Sequence, residues 1–155
     1  MTWAVRRAGA ADVAALADLY ATSARTLGPL VYTPAQVDAW AGFGRDTPRF
    51  RDVVLGATTW LAADADGAAL GFCGVADHGE VRSLYVRADR MRQGLGTALL
   101  AHALADARSR GVTRLAAWAT PFSLPVFERA GFVLVARVAQ DFNGVRFERL
   151  RVALG

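Results

Sequence analysis

The chain has 155 residues, of which 54% are hydrophobic and 21% charged, and its formal net charge is +4. A single cysteine, Cys73, excludes an internal disulfide, and two histidines are too few for a histidine metal site, so we expect no metal. Since no apolar run reaches 18 residues and the N-terminus lacks the basic-then-apolar order of a signal peptide, we expect one cytoplasmic domain over residues 1–155 without membrane contact.

The first third of the chain predicts one strand followed by helices. Thr33, Pro34 and Gln36 form a capping box with proline at the first helical position, a typical helix start. The elements expected here are a strand over Thr2–Ala8, a helix over Asp12–Leu27, a helix from Thr33 to about Gly42–Gly44, and a short helix with a loop over Asp46–Gly56.

The remainder predicts most of the sheet. Asn143-Gly144 is a strong hairpin turn signal, and Gly111 and Gly131 are placed to end helices. The expected strands are Thr58–Ala63, Ala69–Ala76, Glu80–Val86, Leu115–Ala119, Phe132–Gln140 and Val145–Val152, and the expected helices are Gly96–Arg110 and Leu124–Ala130. This order of strands and helices predicts a mixed α/β domain.

The glycine turn at Gly94–Gly96 lies between a predicted strand and a long predicted helix. Such a turn leaves backbone N–H groups unpaired at the helix start and lets the backbone approach an anion closely. Residues Arg87–Arg114 contain six arginines and two aspartates, whereas the remaining chain contains 12 arginines and 12 acidic residues. The positive excess therefore surrounds the turn and favours a polyanionic ligand. A solvated helix face is the alternative, and nucleic acid is disfavoured because aromatic residues do not interleave with the arginines.

Two motifs resemble those of the GNAT superfamily of acetyl-CoA-dependent N-acetyltransferases. Met91–Gly96 is similar to its phosphate signature, Gln/Arg-x-x-Gly-x-Gly/Ala, and Val126–Phe132 to its later signature, Phe-Tyr-Glu-x-x-Gly-Phe. Tyr32–Trp40 and Leu84–Val86 further resemble a small bacterial, YafP-like subgroup. The resemblance implies the GNAT fold, with a mixed, mostly antiparallel sheet of about six to seven strands and about four flanking helices. It also implies acetyl-CoA as cosubstrate, without a metal.

The resemblance assigns cofactor contacts to the fourth predicted strand, the glycine loop and the later motif. It implies that Leu84 offers its N–H to the acetyl carbonyl, a catalytic role. Phe127 replaces the tyrosine that often protonates the leaving thiolate, so we expect Phe127 to pack beside the pantetheine arm, with Ser123 or water near the sulfur. The cofactor-binding residues implied are Leu84, Tyr85, Val86, Arg92, Gln93, Gly94, Leu95, Gly96, Thr97 and Phe127.

The attacking amine is mostly protonated at neutral pH, so a carboxylate or an imidazole is expected to accept its proton. Glu80 is the first candidate, because it lies six residues before Val86, where some GNAT members carry a glutamate base. Strand alternation would place Glu80 and Leu84 on one face unless a bulge intervenes, and the alternative is a surface pair with Arg82. His78 is the second candidate for this proton acceptor and would also contact the substrate, and a solvated turn histidine is its alternative.

Tyr32 and Trp118 are candidates for the acceptor pocket, although aromatic residues at such spacings also build cores. The function expected is transfer of an acetyl group from acetyl-CoA to a primary amine of a small molecule, peptide or protein by direct attack. The alternative is an acetyl-CoA-binding sensor without catalysis. We expect no nucleic-acid partner and leave a homodimer open.

Overall fold

A computed structural model describes residues 2–155, which form seven strands and five α-helices. The strands are β1 Ala4–Arg7, β2 Thr58–Ala63, β3 Ala69–Val75, β4 Glu80–Val86, β5 Leu115–Ala119, β6 Val133–Phe142 and β7 Val145–Leu154. The helices are α1 Val13–Leu27, α2 Pro34–Gly42, α3 Pro48–Leu55, α4 Leu95–Ser109 and α5 Leu124–Arg129. None of these helices, within the described part of the chain, is long and apolar enough to cross a membrane.

All seven strands lie in one sheet, in the order β1-β2-β3-β4-β5-β7-β6. Neighbouring strands are antiparallel except β4 and β5, which are parallel. This sheet confirms the predicted mixed, mostly antiparallel architecture, and the helices number five instead of about four.

Local sequence signals start and end these elements as expected. The Thr33 side chain accepts a hydrogen bond from the Gln36 N–H at 3.2 Å, and the Gln36 side chain accepts one from the Thr33 N–H at 2.9 Å. Asn143 and Gly144 have φ values of 50° and 76°, the left-handed pair that a two-residue hairpin turn needs. The predicted helix start and hairpin are therefore confirmed.

Each face of the sheet covers its own apolar core. Helices α4 and α5 pack on one face around Leu99, Leu100 and Phe132. Helices α1 and α3 pack on the other face around Leu16 and Phe50. The two faces differ in what remains open, because the α1–α3 face also carries a large cavity.

The sheet splits between β4 and β5. Within the described residues these strands pair only at Glu80 with Ala116 and Val81 with Ala117. Beyond Val81 the strands diverge, and β5 continues against β7 through Ala119. The second half of β4 is thus left without a strand on its β5 side, and this opening positions the candidate site.

A β-bulge in β4 sets which side chains face which core. Ser83 pairs with Gly74, but Val81 pairs with the next residue of β3, so Arg82 is the extra residue. Val81 and Leu84 consequently both pack toward α4, three residues apart. The expectation that Glu80 and Leu84 share a face is therefore wrong, because the bulge shifts the alternation by one residue between them.

Candidate active site

A cavity of about 510 Å³ lies between α1–α3, the split in the sheet and the β6–β7 hairpin, and we call it the aromatic cavity. The tip of the hairpin is held on α2 by two hydrogen bonds: the Gln36 side chain donates to the Arg146 carbonyl at 2.9 Å, and Asn143 donates to the Ala39 carbonyl at 3.4 Å. Ten lining side chains are aromatic: Tyr20, Tyr32, Trp40, Phe43, Phe50, Phe72, Tyr85, Trp118, Phe142 and Phe147.

Glu80 lines the aromatic cavity and is fixed by an arginine of β7. Both of its carboxylate oxygens accept hydrogen bonds from the Arg151 guanidinium, at 2.8 Å each. The side chains are 24% and 27% exposed, so solvent reaches the pair only in part. The surface pair with Arg82 considered from the sequence is not formed, because Arg82 bonds Asp52 at 3.1 Å.

Arg149 is a second arginine of β7 at this cavity. Its guanidinium lies 4.5 Å from the centre of the Trp118 ring, and it donates a 2.7 Å hydrogen bond to the Gln140 side chain. Burial lowers the pKa of Arg149 from its ordinary value. In the described part of the chain, no carboxylate lies within salt-bridge distance of Arg149.

A second cavity, of about 100 Å³, adjoins the glycine turn, and we call it the loop cavity. It is lined by β4 and by the start of α4, where Gly94 has a φ of +80° and no side-chain cap is present. The first turn of a helix leaves its N–H groups without intrahelical partners, so those of Leu95, Gly96 and Thr97 are free to meet an anion. Three arginines add positive charge to the same lining: Arg90, Arg92 and Arg129.

The two cavities meet. Trp40, Tyr85 and Thr120 line both of them. Tyr85 packs edge-on against Tyr20 with ring centres 4.6 Å apart, and burial raises the pKa of the Tyr85 phenol. A group bound at the glycine turn and a group bound among the aromatic residues would therefore meet beside the unpaired half of β4.

Most residues predicted for the site lie at one of the two cavities. Glu80, Tyr32 and Trp118 line the aromatic cavity. The loop cavity is lined by a larger set: Leu84, Tyr85, Val86, Arg92, Gly94, Leu95, Gly96, Thr97 and Ser123. The structure thus brings together residues of β4, α4 and the start of α5 that are up to 39 positions apart in the sequence, from Leu84 to Ser123.

Three predicted residues line neither cavity. His78 is exposed in the turn between β3 and β4, and Gln93 is half-buried in the glycine loop. Phe127 is 2% exposed and packs against Phe132, with ring centres 5.0 Å apart. Helical phase explains this place, because Val126 of α5 lines the loop cavity, as does the N-cap residue Ser123, and the next residue of the helix, Phe127, turns into the core.

Sequence reasoning missed the contribution of the last hairpin. Gln140 on β6 and Arg149 on β7 line the aromatic cavity, and Arg151 holds Glu80. The signal available was the alternation of Arg149 and Arg151 with the apolar residues Leu150 and Val152, which puts both arginines on one face of β7. Only the strand order shows which elements that face meets.

A family model described as an acetyltransferase (GNAT) domain matches residues 31–154. No curated protein matches the sequence significantly. Among solved structures, a GCN5-related N-acetyltransferase from Rhodopseudomonas palustris is 25% identical, with 99% of this chain and 96% of that chain covered and a TM-score of 0.91.

Two more distant structures share the fold and were solved with ligands. PaiA N-acetyltransferase from Thermoplasma acidophilum, in complex with coenzyme A, is 16% identical over 97% of this chain and 98% of that chain, with a TM-score of 0.73. YncA from Salmonella typhimurium, with its cofactor acetyl-CoA, is 20% identical over 99% of this chain and 94% of that chain, with a TM-score of 0.68.

Proposed function

The chain belongs to the GNAT acetyltransferase domain family, and from this premise we propose that it transfers the acetyl group of acetyl-CoA to a primary amine by direct attack. The observation that carries the proposal is the junction of the two cavities at Trp40, Tyr85 and Thr120, beside the unpaired half of β4. One cavity suits a polyanionic donor and the other suits an amine acceptor. Membership of the YafP-like subgroup, a cytoplasmic location and a homodimer stay predictions from the sequence.

The loop cavity is proposed to hold acetyl-CoA. The free N–H groups of Leu95–Thr97 and the positive end of the α4 dipole would meet the pyrophosphate, where Gly94 leaves open space. The complexes of PaiA with coenzyme A and of YncA with acetyl-CoA support this choice of ligand. Met91, at the head of the loop where the family has Gln or Arg, is compatible with it because backbone groups do most of the binding.

The backbone of β4 is proposed to polarise the acetyl carbonyl. The Arg87 N–H donates to the Leu70 carbonyl of β3 at 2.8 Å, so odd-numbered residues of this half of β4 bond β3. The even-numbered residues Leu84 and Val86 then face the split, and Ser23 donates to the Val86 carbonyl from that side at 3.1 Å. A preorganised N–H donor at a developing oxyanion lowers the activation free energy by about 2.7–4 kcal/mol.

Glu80 is the proposed proton acceptor. A carboxylate has roughly four lone-pair sites, so the two bonds from Arg151 leave room for an amine or a water. The exposed position of His78 outside both cavities favours Glu80 over it. The nitrogen lone pair forms the new C–N bond, and the C–S bond breaks with its electron pair on sulfur. The proton of the nitrogen passes to Glu80 or water. Ser123 or water protonates the thiolate.

The proposal is tested by the release of coenzyme A from acetyl-CoA in the presence of a panel of primary amines, with product masses as confirmation. Acetylated product with stoichiometric thiol release is the expected result. The alternative, an acetyl-CoA-binding sensor, is favoured by Phe127 in place of the family tyrosine. It predicts tight binding of acetyl-CoA without thiol release for any amine.

A further inference from the structure

The aromatic cavity contains one half-buried cation that lacks a counterion among the described residues. Arg149 stacks on Trp118 at 4.5 Å and gives one hydrogen bond, to neutral Gln140 at 2.7 Å. An arginine has five N–H donors in a planar fork that matches a carboxylate. A guanidinium that is removed from water in this way costs free energy unless an anion joins it.

Of the other charged residues that line the cavity, all but Arg49 have ion-pair partners among the described residues. Asp141 bonds Arg146 at 3.6 Å. Glu80 bonds Arg151, and Arg82 bonds Asp52. Glu148 bonds Arg137 at 3.2 Å on the exposed side of the hairpin. Arg149 is therefore the charge inside this cavity that remains for a ligand, together with Arg49 at the exposed rim.

We propose that Arg149 binds a carboxylate of the acceptor, so that the acceptor is an amine of the α-amino-acid type with an aromatic or branched apolar side chain. This inference rests on the proposed function, because it places the acceptor in the aromatic cavity. Arg149 and Arg151 are alternate residues of β7, about 7 Å apart along the strand. Arg149 would receive the carboxylate, while Glu80, held by Arg151, would receive the neighbouring amine.

The lining explains the choice among acceptors. Tyr32 packs edge-on against both Trp40 and Phe147, with ring centres 5.5 and 5.3 Å apart, and leaves an apolar wall for a side chain. A phosphate carries about two negative charges, whereas Arg149 is the one half-buried guanidinium of the cavity lining without an ion-pair partner among the described residues. A single carboxylate balances the charge of the Arg149 guanidinium.

The test compares matched pairs of acceptors on the wild type, Arg149→Gln, Arg149→Lys and Arg108→Gln. The pairs are phenylalanine with phenethylamine and leucine with isopentylamine, which differ only by the carboxylate. Arg108 is an exposed residue at the end of α4 that lines neither cavity, and its substitution controls for the loss of one positive charge. Affinity is measured by calorimetry in the presence of coenzyme A, and kcat/KM by thiol release with acetyl-CoA.

In the wild type we expect each carboxylated amine to bind more tightly than its partner. Arg149→Gln should weaken the binding of phenylalanine and of leucine by about 10–100-fold, which corresponds to the loss of a charge-assisted hydrogen bond. The affinity for their decarboxylated partners should change by less than about threefold. Arg149→Lys should restore part of the preference, and Arg108→Gln should leave it intact. For each amine, the ratio of the mutant value to the wild-type value is independent of the basicity of that amine. Comparing this ratio between the two amines of a pair therefore isolates the effect of the carboxylate.

The outcomes separate this inference from the proposed function. Thiol release with no carboxylate preference in the wild type overturns the inference and leaves the transferase proposal standing. A carboxylate preference that is lost in Arg149→Gln, without thiol release from any amine, supports carboxylate binding by Arg149 but overturns the transferase proposal and, with it, the assignment of the bound amine as an acceptor. A panel in which no carboxylated amine binds more tightly than its partner, or in which none binds, overturns the inference.

Discussion

Glu80 and Arg151 form a bidentate ion pair that spans β5, with both oxygen–nitrogen distances at 2.8 Å. Glu80 lies opposite Ala116 in the β4–β5 pairing, and Arg151 lies opposite Trp118 in the β5–β7 pairing. The pair thus joins the two halves of the sheet where they begin to separate. It holds a carboxylate at the wall of the aromatic cavity in a defined orientation.

If Glu80 accepts the amine proton, Glu80→Gln should leave the affinity for acetyl-CoA unchanged and lower the transfer rate by about 10²–10⁴-fold. The defect should shrink as the pH rises toward the pKa of the amine, because more substrate then arrives unprotonated. The measurement is the pH–rate profile of both proteins with any amine that turns over.

Glu148→Gln is the matched control for this change. Glu148 also lines the aromatic cavity but bonds Arg137 on its exposed side, so its substitution should leave the profile unchanged. A Glu80→Gln protein with wild-type rates at every pH would rule out the proposed base, and His78→Gln would then be tested.

Acetyl-CoA should stabilise the fold through the glycine turn. At 100 times its dissociation constant, a ligand that binds only the folded state adds about 2.7 kcal/mol to the free energy of unfolding. Gly94→Glu should abolish this gain, because it places a side chain and a negative charge where the phosphates are proposed to lie. Thermal melts with and without acetyl-CoA measure both effects.

Gly67→Glu separates loss of binding from backbone strain. Gly67 has a φ of +86° and open space around its Cα, as Gly94 does, but it lies in the β2–β3 turn away from both cavities. Both variants should lose about 1–2 kcal/mol from the left-handed conformation. A melt of the wild type that does not respond to acetyl-CoA would contradict the proposed cofactor site.

Phe127→Tyr should destabilise the protein without activating it. Phe127 is 2% exposed in the α4–α5 core, so a hydroxyl placed there without a partner costs about 1–3 kcal/mol. Turnover per folded molecule should stay within about tenfold of the wild type. Chemical denaturation and steady-state kinetics check the two statements.

Phe122→Tyr is the comparison for that variant, since Phe122 is half-buried at the loop cavity and a hydroxyl there can reach water. It should cost little stability. A thousandfold gain in the rate of Phe127→Tyr would mean that the native chain lacks a needed acid, and it would favour the sensor function.

Cys73 should be inert in the folded protein. Burial in β3 raises the pKa of its thiol to about 12, so the thiolate is scarce at neutral pH. A thiol-reactive dye at pH 8 should label the native protein slowly and the denatured protein at once. In thiol-detection assays of coenzyme A release, Cys73→Ala should give the same background signal as the wild type. Rapid labelling of the native wild type would contradict the buried position of Cys73.

The same raised pKa predicts a loss of stability in alkali. The unfolded thiol ionises near its ordinary pKa of 9.0, while the folded thiol stays protonated up to about 12. The contribution of Cys73 to the free energy of unfolding is therefore complete below about pH 9 and falls above it. Denaturation midpoints of the wild type and Cys73→Ala between pH 8 and 11 should converge as the pH rises.

The sequence by itself determined the elements and the family. The capping box at Thr33, the Asn143-Gly144 turn and the glycine loop before α4 are each specified by a few adjacent residues, and the structure contains all three. The two motifs that resemble the GNAT superfamily led to the right family, as the match over residues 31–154 confirms. Local dihedral preferences and hydrophobic period are sufficient for such features.

Only the tertiary structure decided which side chains meet. The bulge at Arg82 separates the faces of Glu80 and Leu84, and the strand order brings Arg151 to Glu80 across an intervening strand. Helical phase sends Phe127 into the core although its motif matches. The physical reason is that a one-residue shift in register turns a side chain to the opposite face, and such shifts depend on packing between segments far apart in the chain.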